Sequence, residues 1–315
     1  MASVWTGTQL FVWGGDAADG ISDNGALYNP TTMKWRKLPP SPLSARTDAQ
    51  AVWVDDEVIV ISGDPPALSS SQQVHTDLAA FSPATNRWTT LAPMPLTGNQ
   101  LVLAVVAVAT NDRLYAWEEW QHTTDVGGGG GSVMYSGIDL YIFDPARNSW
   151  TPDVAASRPT DGSDKNNAPN GIDTALWTGT DILVPPTNPW CGECPGPGVL
   201  GGQGRLLNPS TNSWTTIPPG PIDDFNPGSL VWTGTSVIAF DTNVETNGPG
   251  GSTLEGQAAA WDPSGDAWTR LPAAPLYGGD VEVWDGNELL EWGMLDVPTA
   301  NDSVSTDTSG VQFGP

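Results

Sequence analysis

The sequence predicts an all-β fold, a β-propeller of four-stranded antiparallel blades, with six blades of which the last is incomplete. Three observations lead to this prediction: a proline turn that recurs five times, an apolar hairpin that recurs six times, and intervals of 53 to 64 residues between copies of the turn. Self-similarity at such a period is typical of propellers and solenoids.

The recurring turn is an Asn-Pro, Ser-Pro or Asp-Pro pair followed by tryptophan five residues after the proline. Proline pre-sets φ, and an Asn or Asp side chain can bond back to the backbone. We therefore expect each copy to connect the third strand of a blade to the fourth, with the tryptophan beginning that fourth strand. The copies are NPTTMKW, SPATNRW, DPARNSW, NPSTNSW and DPSGDAW, ending at Trp35, Trp88, Trp150, Trp214 and Trp268.

The apolar hairpin lies upstream of each turn and supplies the first two strands of a blade. Its flanks are rich in Val, Ile, Leu, Phe and Trp, as expected for buried or half-buried antiparallel strands. The copies read VWTGTQLFVW, VWVDDEVIVI, VATNDRLYAW, LWTGTDILVP, VWTGTSVIAF and VWDGNELLEW. Their turns contain residue types that accept positive φ, namely Gly7, Asp55, Asn111, Gly179, Gly234 and Gly286.

Together the two motifs divide the chain into blades within one predicted domain, 1–315. The last blade has a hairpin and a candidate third strand at GVQF, but no proline-tryptophan turn. The predicted blades span about 3–38, 50–92, 102–152, 173–217, 229–271 and 281–315.

The hairpin, the Asp-Pro turn after an aromatic residue and the tryptophan with its proline-rich exit resemble the kelch repeat over essentially the whole chain. The resemblance implies a β-propeller of four-stranded blades, commonly six or seven. Kelch blades carry paired glycines after strand two, which remain here only as Gly14-Gly15. The other blades have SGD, EEW, PPT, DTN and WGM at this place, so the resemblance is to a divergent, kelch-like member.

Composition limits the partners. Thirty-six acidic and eleven basic residues give a formal charge of -25, which repels nucleic acid and anionic membrane surfaces. The longest apolar stretch, LVLAVVAVA, is too short to span a bilayer, so we expect no membrane insertion. The sequence opens on strand-like residues without the charged and apolar regions of a signal peptide, so we expect either a protein that stays inside the cell or a leader that has been removed. We expect a monomer.

The long connections predict the binding face. In an up-and-down blade the one-to-two and three-to-four turns open on one face, and the longer, variable connections open on the other. Variable loops on a rigid scaffold are the usual place for recognition. The candidate residues on or near this face are Asp48, His75, Glu118, Glu119, Trp120, His122, Asp173, Trp190 and Asp280.

The residues in these segments are compatible with several kinds of site. His75 and His122 with the nearby glutamates could form a general acid/base site, and Trp120 or Trp190 could stack on sugar rings beside carboxylates. Carboxylates are also the ligands that calcium prefers. The calcium candidates are Asp16, Asp19, Asp23, Asp48, Asp173 and Asp280, and none of their segments has EF-hand spacing.

A WCGEC segment places Cys191 and Cys194 in a Pro/Gly-rich loop. The redox-active WCxxC of thioredoxins needs a helix N-terminus in a βαβ setting, which this loop does not offer. A loop-stapling disulfide is the favoured interpretation, with free thiols, metal binding and redox chemistry as alternatives. A disulfide would favour an extracellular or periplasmic location.

The expected function is a binding module without catalytic activity, whose long loops contact a protein or a carbohydrate. No cofactor is expected, and calcium stays open. The alternative is a propeller enzyme, either a sugar-processing enzyme or an oxidoreductase resembling galactose oxidase. Tyrosines and two histidines hold copper in that family, and this chain has five tyrosines but no recognisable copy of the ligand set.

Overall fold

The computed structural model shows an all-β chain, with one short 3-10 turn at Pro145–Arg147 in the part that it describes. The chain divides into two compact units, Met1–Ile172 and Asp173–Pro315, and each is described by itself. The described residues are 1–17, 20–66, 74–96, 100–125, 132–153, 174–185, 204–218, 220, 229–248, 251–271, 281–284, 289–292 and 311–313.

The first unit contains three four-stranded antiparallel blades. The first has the order β1-β2-β5-β6, and a small hairpin, β3-β4, lies in its second connection. Its strands are β1 (Ala2–Trp5), β2 (Leu10–Trp13), β3 (Asp16–Ala17), β4 (Gly20–Ile21), β5 (Gly25–Asn29) and β6 (Lys34–Lys37). The second blade consists of β7 (Gln50–Val54), β8 (Glu57–Ile61), β9 (Leu78–Ser82) and β10 (Arg87–Thr90). The third consists of β11 (Leu101–Ala109), β12 (Leu114–Asp125), β13 (Ser132–Asp144) and β14 (Ser149–Pro152).

The second unit contains two more four-stranded blades and a three-stranded sheet. The blades are β15 (Leu176–Trp177), β16 (Ile182–Val184), β17 (Arg205–Asn208) and β18 (Ser213–Thr216), then β19 (Ser229–Trp232), β20 (Val237–Gly248), β21 (Gly251–Asp262) and β22 (Ala267–Arg270). The last sheet is β23 (Val281–Trp284), β24 (Leu289–Trp292) and β25 (Val311–Phe313), with β25 at the expected GVQF segment. The described residues therefore hold five complete propeller-type blades, not six.

The one-to-two hairpin turns follow the predicted backbone geometry in most copies. Gly7, Gly179 and Gly234 have φ between 85° and 97°, and Asp55 has φ 53°. Asn111 does not adopt positive φ, so the prediction is wrong at that turn. There the backbone N–H of Thr110 donates to the carbonyl of Arg113 (2.8 Å) and closes the turn without a left-handed residue. Gly286 lies outside the described residues.

The proline turns contain a left-handed residue two positions before each tryptophan. Four of the five are Asn or Asp, the types that tolerate this conformation best apart from glycine. The side chain of the residue before the proline also caps the turn. In the third copy, Asp144 Oδ1 accepts a hydrogen bond from the backbone N–H of Arg147 (3.1 Å). The left-handed residues are Met33, Asn86, Asn148, Asn212 and Asp266, with φ between 46° and 56°.

The repeated tryptophans link neighbouring blades within each unit. In three cases the indole N–H donates to a backbone carbonyl just beyond the fourth strand of the preceding blade. These bonds run from Trp88 to Pro39 (3.1 Å), from Trp150 to Ala92 (2.9 Å) and from Trp268 to Pro218 (3.0 Å). The proline-tryptophan motif therefore builds both the turn and part of the contact between blades.

The core of the first unit lies between successive blades. Ile59 and Ile61 of the second blade pack in one buried cluster with Leu114, Ala116 and Phe143 of the third. Leu114 and Ala116 are alternate residues of β12, and alternate residues of a strand share one face. That face of β12 is therefore turned toward the second blade.

Candidate functional site

The site lies where β12 and β13 run past the rest of the third blade. The sequence predicts EEWQHTTDVGGGGGS, 118–132, as one of the long loops. This prediction is wrong over 118–125, because β12 continues to Asp125. β11 pairs with β12 only as far as Leu101 and Gln121, while β12 and β13 stay paired out to Asp125 and Ser132. The last four residue pairs thus form a two-stranded ribbon beyond the blade.

A hydrogen bond links β11, at the base of this ribbon, to the neighbouring connection of the second blade. The backbone N–H of Val74 donates to the carbonyl of Val102 (3.2 Å), and Val102 pairs with Trp120. β11 also carries a bulge between Val102 and Ala104, and bulges are frequent beside functional sites because they redirect side chains. The ribbon therefore begins at the end of the unit where the long connections lie.

Three cross-strand pairs on one face of this hairpin form what we call the aromatic-acid stripe. Alternation places residues 118, 120 and 122 of β12 on the same face, opposite residues 139, 137 and 135 of β13. The stripe runs about 13 Å along the strands, outward from the core positions of β12. Its pairs are Glu118 with Asp139, Trp120 with Gly137, and His122 with Tyr135.

Trp120 lies in the middle of the stripe and is half-buried. Its indole N–H donates to Oδ2 of Asp139 (2.8 Å). A Cβ placed on Gly137 would collide with the six-membered ring of Trp120, so the ring lies directly over that glycine. Only glycine at this cross-strand position leaves room for the indole.

His122 and Tyr135 form the outer end. Their rings stack with centroids 5.1 Å apart and an interplanar angle of 21°. His122 Nε2 also shares a hydrogen bond with Thr124 Oγ1 (2.8 Å). Tyr135 remains 50% exposed, so this end offers an aromatic ring and polar atoms to solvent from two paired strands.

Glu118 forms the inner end and is fully buried. Neither of its carboxyl oxygens has a hydrogen-bond partner among the described residues. Burial, and secondly the negative charge of Asp139, raise the pKa of Glu118 to about 7. No Lys or Arg occurs between Arg113 and Arg147, so the hairpin supplies no cation to either carboxylate.

A second group of polar residues joins the first two blades. Arg46 is fully buried and makes a two-pronged ion pair with Asp77 (2.8 and 3.1 Å), and it also donates to the carbonyl of Ser62 (3.1 Å). Its guanidinium lies 5.9 Å from the ring centre of Trp13. These contacts fix the connection before β7 against the connection after β8.

The titratable neighbours of this ion pair respond to it. Burial and, secondly, the charge of Arg46 lower the pKa of His75, whose Nδ1 is 3.7 Å from Asp77 Oδ1. Burial alone would raise the pKa of Asp77, but the hydrogen bonds and charge of Arg46 lower it. Burial and the charge of Asp48 raise the pKa of Asp64. We call the Arg46–Asp77 ion pair and its neighbour His75 the clamp, and the carboxyl groups of Asp48 and Asp64 lie beside it.

The structure brings the predicted residues together in two places. Asp48 and His75 lie around Asp64 at the clamp, and Glu118, Trp120 and His122 share the stripe. Glu119 lies on the opposite face of β12. Asp173, Trp190, Asp280, Cys191 and Cys194 lie outside the described residues.

Sequence reasoning missed Tyr135, Gly137 and Asp139, which complete the stripe from β13. Their spacing of two residues is the signal for one strand face, but the preceding glycine run made the segment look like part of a loop. Arg46 and Asp77 were also missed. No local pattern joins them, because they are 31 positions apart in the chain.

No group of three or more His, Cys, Asp or Glu residues in the described ranges is arranged to hold a metal ion. Among those same ranges, no helix is long and apolar enough to cross a membrane. No family model matches the chain, and no curated protein matches its sequence.

Proposed function

We propose that this chain is a carbohydrate-binding module on a divergent, kelch-like propeller, and that a glycan docks on the aromatic-acid stripe. The observation that carries the proposal is the aromatic-acid stripe itself, in which an indole, an imidazole, a phenol and two carboxyl groups share one face of the paired strands β12 and β13. The C–H face of a sugar ring packs on aromatic rings, and its hydroxyls bond to carboxylate, imidazole and phenol groups. The stripe offers both kinds of contact.

Rigidity supports the same proposal. Trp120 is held by Asp139 and by its seat over Gly137, and Tyr135 is held by its stack on His122. Side chains that are already ordered lose little conformational entropy when a ligand binds. The formal charge of -25 disfavours strongly anionic glycans, so neutral or cationic glycans fit best.

One further proposal accompanies this function. The protein works outside the cytoplasm, where glycans are abundant. Mass spectrometry without reductant tests the location through the Cys191–Cys194 pair, since a disulfide is stable in an oxidising compartment. Recovery of both as free thiols from the native source would contradict it.

A glycan array followed by titration calorimetry tests the binding proposal. Tyr135→Ala removes the exposed ring, and we expect affinity for the selected glycan to fall about tenfold, equivalent to about 1.4 kcal/mol. Tyr135→Phe keeps the ring and should retain most of the affinity. Trp35→Ala removes a tryptophan of equal exposure on another blade and should leave binding unchanged.

Three outcomes would count against the proposal. Loss of binding in Trp35→Ala and Tyr135→Ala alike would show that the stripe is not the site. An array without a positive signal, together with capture of a specific protein partner, would favour the protein-binding alternative. Breakdown of the bound glycan would favour the enzyme alternative.

A further inference from the structure

The inner end of the stripe contains two acidic side chains in an arrangement that the fold alone does not explain. Glu118 and Asp139 lie directly opposite each other on neighbouring strands. Like charges at such positions destabilise a sheet, and a buried carboxyl group without a partner costs free energy. Both conditions meet at this pair.

The strands that flank or face this pair supply no Lys or Arg to offset its negative charge. β11 has no titratable side chain, and among the facing strands β7, β8 and β9 the sole titratable residue is Glu57, at the hairpin-turn end of β8. Among the described residues, the Asp139 carboxylate accepts a hydrogen bond from the Trp120 indole. The pair therefore keeps acceptor oxygens without a donor, both on Glu118 and one on Asp139.

We propose that the Glu118–Asp139 pair receives a cationic amine of the bound glycan, so that the ligand class is amino sugars with unacetylated nitrogen. This inference rests on the proposed carbohydrate-binding function and narrows its ligand. Asp139 is half-buried and adjoins Trp120, so it is the first carboxylate that an amine on the stripe would meet. Glu118, its cross-strand partner, is the fully buried member of the pair.

An ammonium group suits this pair better than a metal ion. An ammonium has three N–H donors, and Asp139 keeps one carboxylate oxygen that Trp120 does not occupy, while both oxygens of Glu118 are unpartnered. Calcium takes six to eight oxygen ligands, and two carboxylates do not approach that number. A sugar ring stacked on the aromatic part of the stripe would carry its amine toward the pair.

Titration of the full chain with two matched hexasaccharides of β-1,4-linked glucosamine, one with free amines and one fully N-acetylated, tests the inference. At about pH 6 and about 0.15 M salt, where surface charge is screened within about 8 Å, we expect the free-amine oligomer to bind at least about tenfold more tightly. Asp139→Asn removes one charge and retains an acceptor for the Trp120 N–H, and it should reduce this ratio to about one.

Asp56→Asn is the matched control, because Asp56 is exposed at the β7–β8 turn and its loss changes the net charge equally. It should keep the tenfold preference. Equal binding of both oligomers to the wild type would overturn the inference and leave carbohydrate binding standing. A ratio lowered equally by both variants would also overturn it, since general attraction to an acidic protein would then explain the preference. If neither these oligomers nor any array glycan binds, the proposed function fails as well.

Discussion

At the scale of the residue, the properties of Glu118 follow from its position along β12. Two positions toward the N-terminus, Ala116 packs in the core between blades, and two positions toward the C-terminus, Trp120 reaches partial exposure. Glu118 lies on the same face of β12. Its carboxyl group is buried and has no hydrogen-bond partner among the described residues. Its proton affinity is therefore set by burial first and by Asp139 second.

This position makes stability depend on pH. The pKa of Glu118 is about 7 in the folded protein against an ordinary 4.5, so between these values the folded state holds a proton that the unfolded state has lost. The contribution of Glu118 to the free energy of unfolding is greatest below pH 4.5. It decreases as the pH rises to about 7, by about 3 kcal/mol in total.

Glu118→Gln should remove that contribution. We expect the stability of the variant relative to the wild type to improve by about 3 kcal/mol between about pH 4.5 and about pH 7.5. Urea unfolding at several pH values measures it. A relative stability that stays constant across this range would contradict the assigned burial of the carboxyl group.

At the scale of the element, the proline turns show what local sequence predicts and what it does not. The Asn-Pro and Asp-Pro pairs predict the turn and its side-chain cap, and both are present. The left-handed position two residues before tryptophan was missed, because Met33 interrupts an otherwise consistent Asn/Asp pattern. The ribbon was missed for a different reason: WQHTTD has too few apolar residues to resemble a strand, and beyond Gln121 it no longer pairs with β11.

Met33 provides a test of the turn. Its φ of 53° is costly for a long side chain, and its side chain is 78% exposed. Met33→Asn should stabilise the protein by about 0.5–1 kcal/mol, because Asn tolerates the left-handed region. Met33→Ala, which removes the same side chain without easing the backbone, should change little. Denaturant midpoints compare the three, and an unchanged midpoint in Met33→Asn would count against the assigned strain.

At the scale of the whole molecule, regular elements build the scaffold and irregular ones carry the proposed site. The repeat predicts propeller-type blades of four antiparallel strands, and five such blades are present. It does not predict which connections are extended into two-stranded ribbons, as β12–β13 and β20–β21 are, because blades with the same turns differ there. The stripe depends on pairing between distant segments, which periodicity along the chain does not reveal.

The two histidines of the chain allow the central claim to be tested in solution. His122 belongs to the stripe, and His75 lies at the Arg46–Asp77 clamp. Their ring signals in a ¹H–¹³C NMR spectrum can be assigned with His122→Gln, which removes one set. Because His122 stacks on Tyr135, any ligand that packs on the stripe must alter the ring environment of His122.

The most direct measurement is therefore a titration of the full chain with the oligosaccharide selected by the array, followed through both histidine rings. Binding on the stripe predicts saturable shifts of the His122 signals, with His75 unchanged. Saturable binding that leaves His122 unchanged, or that shifts His75 alone, would contradict the account.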